Sequence, residues 1–209
     1  MAITVDGIYA GRLEPAENYA GCISVFRNAF PAPDQAVAVL EDSCADAESP
    51  AQWEQSRILQ TGTDVTKRSN SVCPISRVAS EMDFPPFQGL HNQCKLSTES
   101  GLTSYVEDFF QTDMTLDSEG FQALKYEQGQ RYVKHSDWHT SCPTRAISVL
   151  IYLNDNFEGG ELDFPFHGVR ITPQAGTMVM FPSSFAYTHE ALPVQSGTKY
   201  ALVTWFHAV

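Results

Sequence analysis

His135-Ser136-Asp137 sets an imidazole and a carboxylate two residues apart. In an extended chain such residues point the same way, so the pair can grip one metal ion from adjacent corners. A second histidine downstream would complete a face of two imidazoles and one carboxylate. That face leaves three positions of a six-coordinate ion open, which suits non-haem Fe(II) that must take both a co-substrate and O2. The triplet alone carries little weight, because a solvated loop produces it as readily. His189 lies 54 residues after His135, near the start of a turn before the last strong strand. Lys199 follows ten residues later, the only lysine beyond Lys134, and opens the otherwise apolar run KYALVTWF. A cation there needs a partner if its head is buried, and a carboxylate of a metal-bound ligand would serve. An exposed strand-end lysine is the competing explanation. His167 and His207 read as surface or satisfied core histidines. His139 has no carboxylate at metal spacing and is at best a supporting neighbour.

The elements that must position these residues fall into two halves. After Pro33, Asp34 can cap a helix running to about Ser43. A second helix is expected from about Glu99 to Gln111, where Leu102, Tyr105, Val106, Phe109 and Phe110 form one apolar face. From Gly120 the pattern changes to strands: 120–126, 145–153, 161–164, 168–171, 177–181 and 199–206. In the longest early run, Ile147, Val149 and Ile151 alternate with Ser148, Leu150 and Tyr152. Short strands with frequent turn signals indicate a sandwich or barrel, not alternating βα units. Residues 61–71 (TGTDVTKRSNS) are polar and turn-rich and read as a mobile loop.

The 209 residues suit one domain (1–209), with a support region over 1–115 and the strand-rich core over 120–207. Net charge is −12, from 13 basic and 25 acidic residues. So acidic a surface would repel phosphate backbones, so neither nucleic acid nor an anionic membrane is an expected partner. No apolar run approaches the roughly 20 residues of a membrane span, and the first residues lack a secretory signal pattern. The five cysteines are odd in number, scattered and never in a CxxC pair, so a reducing cytoplasm is the expected setting.

Five pieces of the second half occur in one family's order: YEQGQRYVKHSDWH (126–139), RAISVLIYLN (145–154), GGELDFP (159–165), ITPQAGTMVMFPSS (171–184) and THEALPVQSGTKYALVTWF (188–206). This segment resembles the Fe(II)/2-oxoglutarate-dependent oxygenases, in their prolyl 4-hydroxylase-like branch. The resemblance implies an α+β, mainly β fold: a double-stranded β-helix, or jelly-roll, of two antiparallel sheets with flanking N-terminal helices. It implies that His135, Asp137 and His189 are the catalytic metal ligands. Lys199 would pair with the distal carboxylate of 2-oxoglutarate, and Tyr152 would hydrogen-bond the same group. Thr198 or Thr204 would add another bond. Tyr126 and Tyr132 would line the pocket beside the metal, and Arg145 and Trp205 the substrate entrance. The spacing from Tyr126 to the triplet departs by one residue from the pattern of the hypoxia-sensing members. The implied reaction consumes 2-oxoglutarate and O2, yields succinate and CO2, and hydroxylates a prolyl residue in a peptide or protein, with ascorbate in support. Residues 61–71 fall, in order, where such enzymes keep a substrate-covering loop. Two other readings stand beside this one: an oxygenase acting on another amino acid or small molecule, and a non-catalytic jelly-roll binding module. A cupin-type metal enzyme would keep the histidines without needing Lys199.

Overall fold

The computed structural model describes residues 13–19, 21–58, 62–110 and 115–209. The elements run β1 (Glu17–Tyr19), β2 (Ile23–Phe26), α1 (Pro33–Ala45), β3 (Glu54–Gln55), β4 (Ser71–Cys73), α2 (Ile75–Glu81) and α3 (Pro85–Phe109). There follow β5 (Leu116–Ser118), β6 (Gln122–Tyr126), β7 (Tyr132–His135), β8 (Arg145–Tyr152), β9 (Glu158–Gly159), β10 (Leu162–Phe164) and β11 (Val169–Ile171). The chain ends with β12 (Met178–Pro182), β13 (His189–Ala191), β14 (Val194–Ser196) and β15 (Lys199–Ala208).

The strands form a jelly-roll. The major sheet has the order β1-β2-β12-β8-β15-β6-β4-β3, with β5 also paired to β15. The minor sheet has the order β11-β10-β13-β7, and β14 pairs with β9. Pairing is antiparallel throughout. The alternation along β8 decides what each face does. Ile147, Val149 and Ile151 join Leu40 of α1 and Leu102, Tyr105 and Val106 of α3 in the larger core. Tyr152 faces inward, packed with Val179 and Phe181 of β12 and Leu162 and Phe164 of the minor sheet. Gly101 faces Met178 and Met180 of β12 where α3 crosses the sheet.

The six expected strands occur as β6, β8, β10, β11, β12 and β15, within two residues at each end, whereas β7, β9, β13 and β14 of the same half were not anticipated. The helices differ more. Asp34 does not cap α1: Ala32 is the N-cap residue, in the left-handed region at φ 49°, and Pro33 stands in the first turn. Proline's fixed φ and missing N–H suit that position. The second helix begins not at Glu99 but at Pro85, and α2 was not anticipated. The first half of α3 is polar and contains Gly89, so its apolar periodicity is weak; it is held by tertiary contacts of Phe87, Leu90 and Cys94. The expected helix end at Gln111 lies outside the described residues. Residues 17–26 add β1 and β2 to the major sheet beside β12. No described helix is long and apolar enough to cross a membrane.

Candidate metal and co-substrate site

The two histidines meet because β7 and β13 pair with His135 directly opposite His189. His189 is thus a strand residue, not part of a turn. Asp137 follows β7 by two residues and turns back toward both. His135 Nε2 is 3.6 Å from Asp137 Oδ1, and His189 Nε2 is 3.7 Å from Asp137 Oδ2. Among the described residues these three form the one cluster able to hold a metal ion, with ligand atoms all within 4.8 Å of one another.

Each ring is oriented by its other nitrogen. His135 Nδ1 lies 2.9 Å from the Val133 carbonyl, and His189 Nδ1 3.0 Å from that of Tyr187. A carbonyl only accepts, so each Nδ1 carries the proton and each Nε2 lone pair faces the cluster. Burial, and then the neighbouring His189, push the His135 imidazolium down to about 3, so this ring is a neutral donor at neutral pH. Burial alone would raise the Asp137 carboxyl. The two histidines, the Ser148 hydroxyl and, at longer range, the Trp205 N–H hold it below its ordinary value instead. Ser148 Oγ donates to Asp137 Oδ2 at 2.7 Å and is itself 2.8 Å from Ser183 Oγ. Tyr132 stacks on His135 with ring centroids 3.5 Å apart.

This donor set fits Fe(II). Two imidazoles and one carboxylate are the donors of a facial triad, and cis ligands at bonds of about 2.1 Å stand about 3 Å apart. The spacings of 3.6 and 3.7 Å are within a small side-chain adjustment of that.

The cluster lies in a cleft of about 490 Å³, which Tyr126, Tyr132, Arg145 and Trp205 also line. Lys199 and Tyr152 lie behind this surface. Lys199 is 2% exposed, which removes the exposed strand-end reading. Its Nζ donates to the Gly160 carbonyl at 2.6 Å and sits 5.1 and 5.2 Å from the ring centroids of Tyr126 and Tyr152. With no carboxylate of the described residues in hydrogen-bonding contact, burial, opposed only by the more distant Glu161, pulls the ammonium down to about 7. Among the described residues the buried Tyr152 hydroxyl has no hydrogen-bond partner. A buried cation beside an unsatisfied phenol, beyond the Tyr126 wall of the cleft, forms a place that an anionic group would complete. Of the two threonines, Thr204 is buried with its hydroxyl 3.2 Å from Ser118 Oγ, and Thr198 gives its carbonyl to Asn154.

Residues 121–207 match the family model described as the 2OG-Fe(II) oxygenase superfamily. Over these residues the jelly-roll core is similar to that superfamily. A probable prolyl 4-hydroxylase 9 of Arabidopsis thaliana is 30% identical over 115 residues, covering 42% of this chain and 40% of that protein. The chain thus spans about two fifths of the length of the curated relatives it first matches. The likeness in fold extends further than the likeness in sequence. A Trichoplax adhaerens prolyl hydroxylase, solved with a hypoxia-inducible-factor peptide fragment, superposes with a TM-score of 0.70 at 18% identity, covering 90% of this chain and 84% of that one. A Pseudomonas putida prolyl-4-hydroxylase gives 0.62 at 22% identity, with coverage of 90% and 94%.

Some residues of the site escaped sequence reasoning. Ser148 alternates with Ile147 and Val149 along its strand, but nothing local marks it as the partner of Asp137. Glu54, Gln55, Arg57 and Arg68 line the cleft from the N-terminal half. Arg68 lies 4.7 Å from the Tyr132 ring centroid and belongs to the polar stretch read as a mobile loop. Thr61 lies outside the described residues. The rest of the stretch is tied to the core: Val133 N–H donates to the Lys67 carbonyl at 2.8 Å, and Ser69 N–H to that of Arg131 at 3.1 Å. His139 also lines the cleft, with its Nδ1 engaged by Ser141. His167 stacks on Tyr187, and His207 is held by Glu119 and Thr144.

Proposed function

We propose that the protein is a hydroxylase that uses Fe(II), 2-oxoglutarate and O2 to oxidise prolyl residues of a peptide or protein. The observation that carries this reading is the convergence of His135, Asp137 and His189 in a cleft, with the buried Lys199 beyond its Tyr126 wall and hydrogen-bonded there to the Gly160 carbonyl. A binding module has no use for that combination, and a metal site without 2-oxoglutarate has no use for Lys199. The prolyl substrate is supported by the names of relatives such as the Arabidopsis thaliana prolyl 4-hydroxylases. An open cleft of about 490 Å³ suits a chain segment better than an enclosed pocket would.

When bound, the iron with 2-oxoglutarate and O2 supplies the oxidising chemistry, in which decarboxylation to succinate and CO2 accompanies transfer of one oxygen atom to a substrate C–H. The chain supplies the rest. His135 and His189 present fixed lone pairs, and Ser148 fixes the Asp137 carboxylate. Lys199 and Tyr152 would hold the distal carboxylate of 2-oxoglutarate, and the low-dielectric surroundings would strengthen that pairing. Tyr132, stacked on His135, would help exclude water from that imidazole. Arg145 and Trp205 form the wall that receives substrate. Ascorbate maintains the ferrous state in this proposal. A reducing cytoplasmic setting is part of it too, supported by five free thiols, of which Cys44 and Cys73 lie 3.9 Å apart.

The test is anaerobic calorimetry of 2-oxoglutarate binding to the iron-loaded and metal-free protein, followed by succinate release in air. Binding that requires iron, and succinate that rises with a proline peptide, support the reading. Binding unaffected by iron, with no succinate formed, overturns it.

A further inference from the structure

We propose that Glu119 is a positioning residue for substrate, acting through Arg145 on one wall of the cleft. The inference deepens the oxygenase reading and rests on it. Glu119 lies just beyond β5 and does not line the cleft. Its carboxylate takes the Arg145 fork at both oxygens, from Nε and from Nη2, the latter at 2.6 Å. Its main-chain N–H donates to the Trp205 carbonyl at 2.9 Å. His207 Nε2 lies 2.5 Å from the same carboxylate, and Thr144 Oγ1 2.7 Å from His207 Nδ1.

The guanidinium held this way makes two contacts that matter for the cleft. Nη1 donates to the Asp137 carbonyl at 3.2 Å, and Cζ lies 4.0 Å from the centroid of the Trp205 ring. Arg145, Trp205 and Asp137 all line the cleft, whereas Glu119, His207 and Thr144 do not. The side chains of the outer three thus form a bracket that reaches the cleft through one arginine, while the Glu119 main-chain bond to Trp205 does not depend on the carboxylate. An arginine side chain has several rotatable bonds, and a two-point carboxylate contact is what selects one orientation of its fork. Without it, the stacking on Trp205 and the bond to the Asp137 carbonyl lose their common anchor. The Asp137 carboxylate keeps its own partner, Ser148. Loss of Glu119 therefore disturbs the substrate wall more than the metal ligands.

The decisive variant is Glu119→Gln, which keeps the size but turns an amide NH2 toward a guanidinium donor. In the iron- and 2-oxoglutarate-loaded enzyme it should raise the KM for a proline peptide about tenfold, with the Fe(II) Kd within about twofold. In an Arg145→Ala background the same change should have less than about a twofold effect, since the two residues act as one unit. Peptide KM unchanged in the single variant, or a full tenfold rise in the Arg145→Ala background, overturns the proposal. A readout without turnover is the emission of Trp205 in a Trp53→Phe/Trp138→Phe chain. Glu119→Gln and Arg145→Ala should shift its intensity in the same direction, and no shift in the Glu119 variant overturns the coupling. A wild-type enzyme forming neither succinate nor hydroxylated peptide overturns the oxygenase reading itself, while the emission still decides whether Glu119 orients Arg145.

Discussion

Lys199→Met removes the buried charge while keeping most of the side-chain volume. Burial lowers the ammonium from 10.5 to about 7, so protonating Lys199 in the folded, ligand-free protein costs about 5 kcal/mol relative to water, at 1.36 kcal/mol per unit. The sign for stability follows directly. Between pH 7 and 10.5 the unfolded chain holds a proton that the folded chain has released, so wild-type stability rises with pH across that window. Below pH 7 both states are charged and the full cost is present. The methionine variant lacks this slope, and urea melts at several pH values should show the difference. For 2-oxoglutarate the sign reverses. The dianion needs the charged lysine, so the wild-type Kd should weaken about tenfold for each pH unit above 7. Breaking a buried pair costs about 3–5 kcal/mol, so the variant at pH 7 should bind 2-oxoglutarate about 100-fold or more weaker, with little pH dependence. The assay is anaerobic calorimetry of the Fe(II) protein between pH 6.5 and 9, with iron affinity measured alongside. A variant Kd within about threefold of wild type, or a wild-type Kd flat across that range, would refute the reasoning.

Further outcomes follow from the same geometry. His135→Ala or Asp137→Ala should reduce succinate formation to that of chelator-treated protein; wild-type rates in either would remove the metal assignment. Ser148→Ala leaves Asp137 Oδ2 without its 2.7 Å donor and should weaken Fe(II) binding about 10–100-fold, read by metal titration. Gly159→Ala forces a side chain into φ 75° and a Cβ to 2.4 Å from the Pro193 carbonyl, so it should lower stability by about 2 kcal/mol or more in a urea melt. Leu102→Ala opens a cavity where α3 packs on the major sheet and should cost about 2–5 kcal/mol; no change would mean that this contact carries little.

Six strands of the second half were legible because their patterns state their own burial, whereas the short β7, β9, β13 and β14 were not. Residues 147–152 alternate cleanly, and both faces proved to be buried ones. His135, Asp137 and His189 were legible because metal chemistry restricts residue types, although only the β7–β13 register shows why residues 54 apart meet. The N-terminal half was harder for a physical reason. The first half of α3 has few apolar residues, and Pro85 and Gly89 mask its period, so tertiary packing rather than local preference holds it. Arg68 and Glu119 were illegible in a different way: each acquires its neighbours, Tyr132 and Arg145, from distant segments, and nothing local to either marks it.

The most direct measurement incubates the protein with Fe(II), 2-oxoglutarate, ascorbate and a panel of proline-containing peptides in air, and quantifies succinate and peptide mass in the same tubes. The account predicts one added oxygen on proline in at least one peptide, matched by succinate and absent in His135→Ala. Succinate above the His135→Ala control with no modified peptide would contradict the prolyl assignment for those sequences. Neither product, with iron shown to be bound, would contradict the oxygenase account itself.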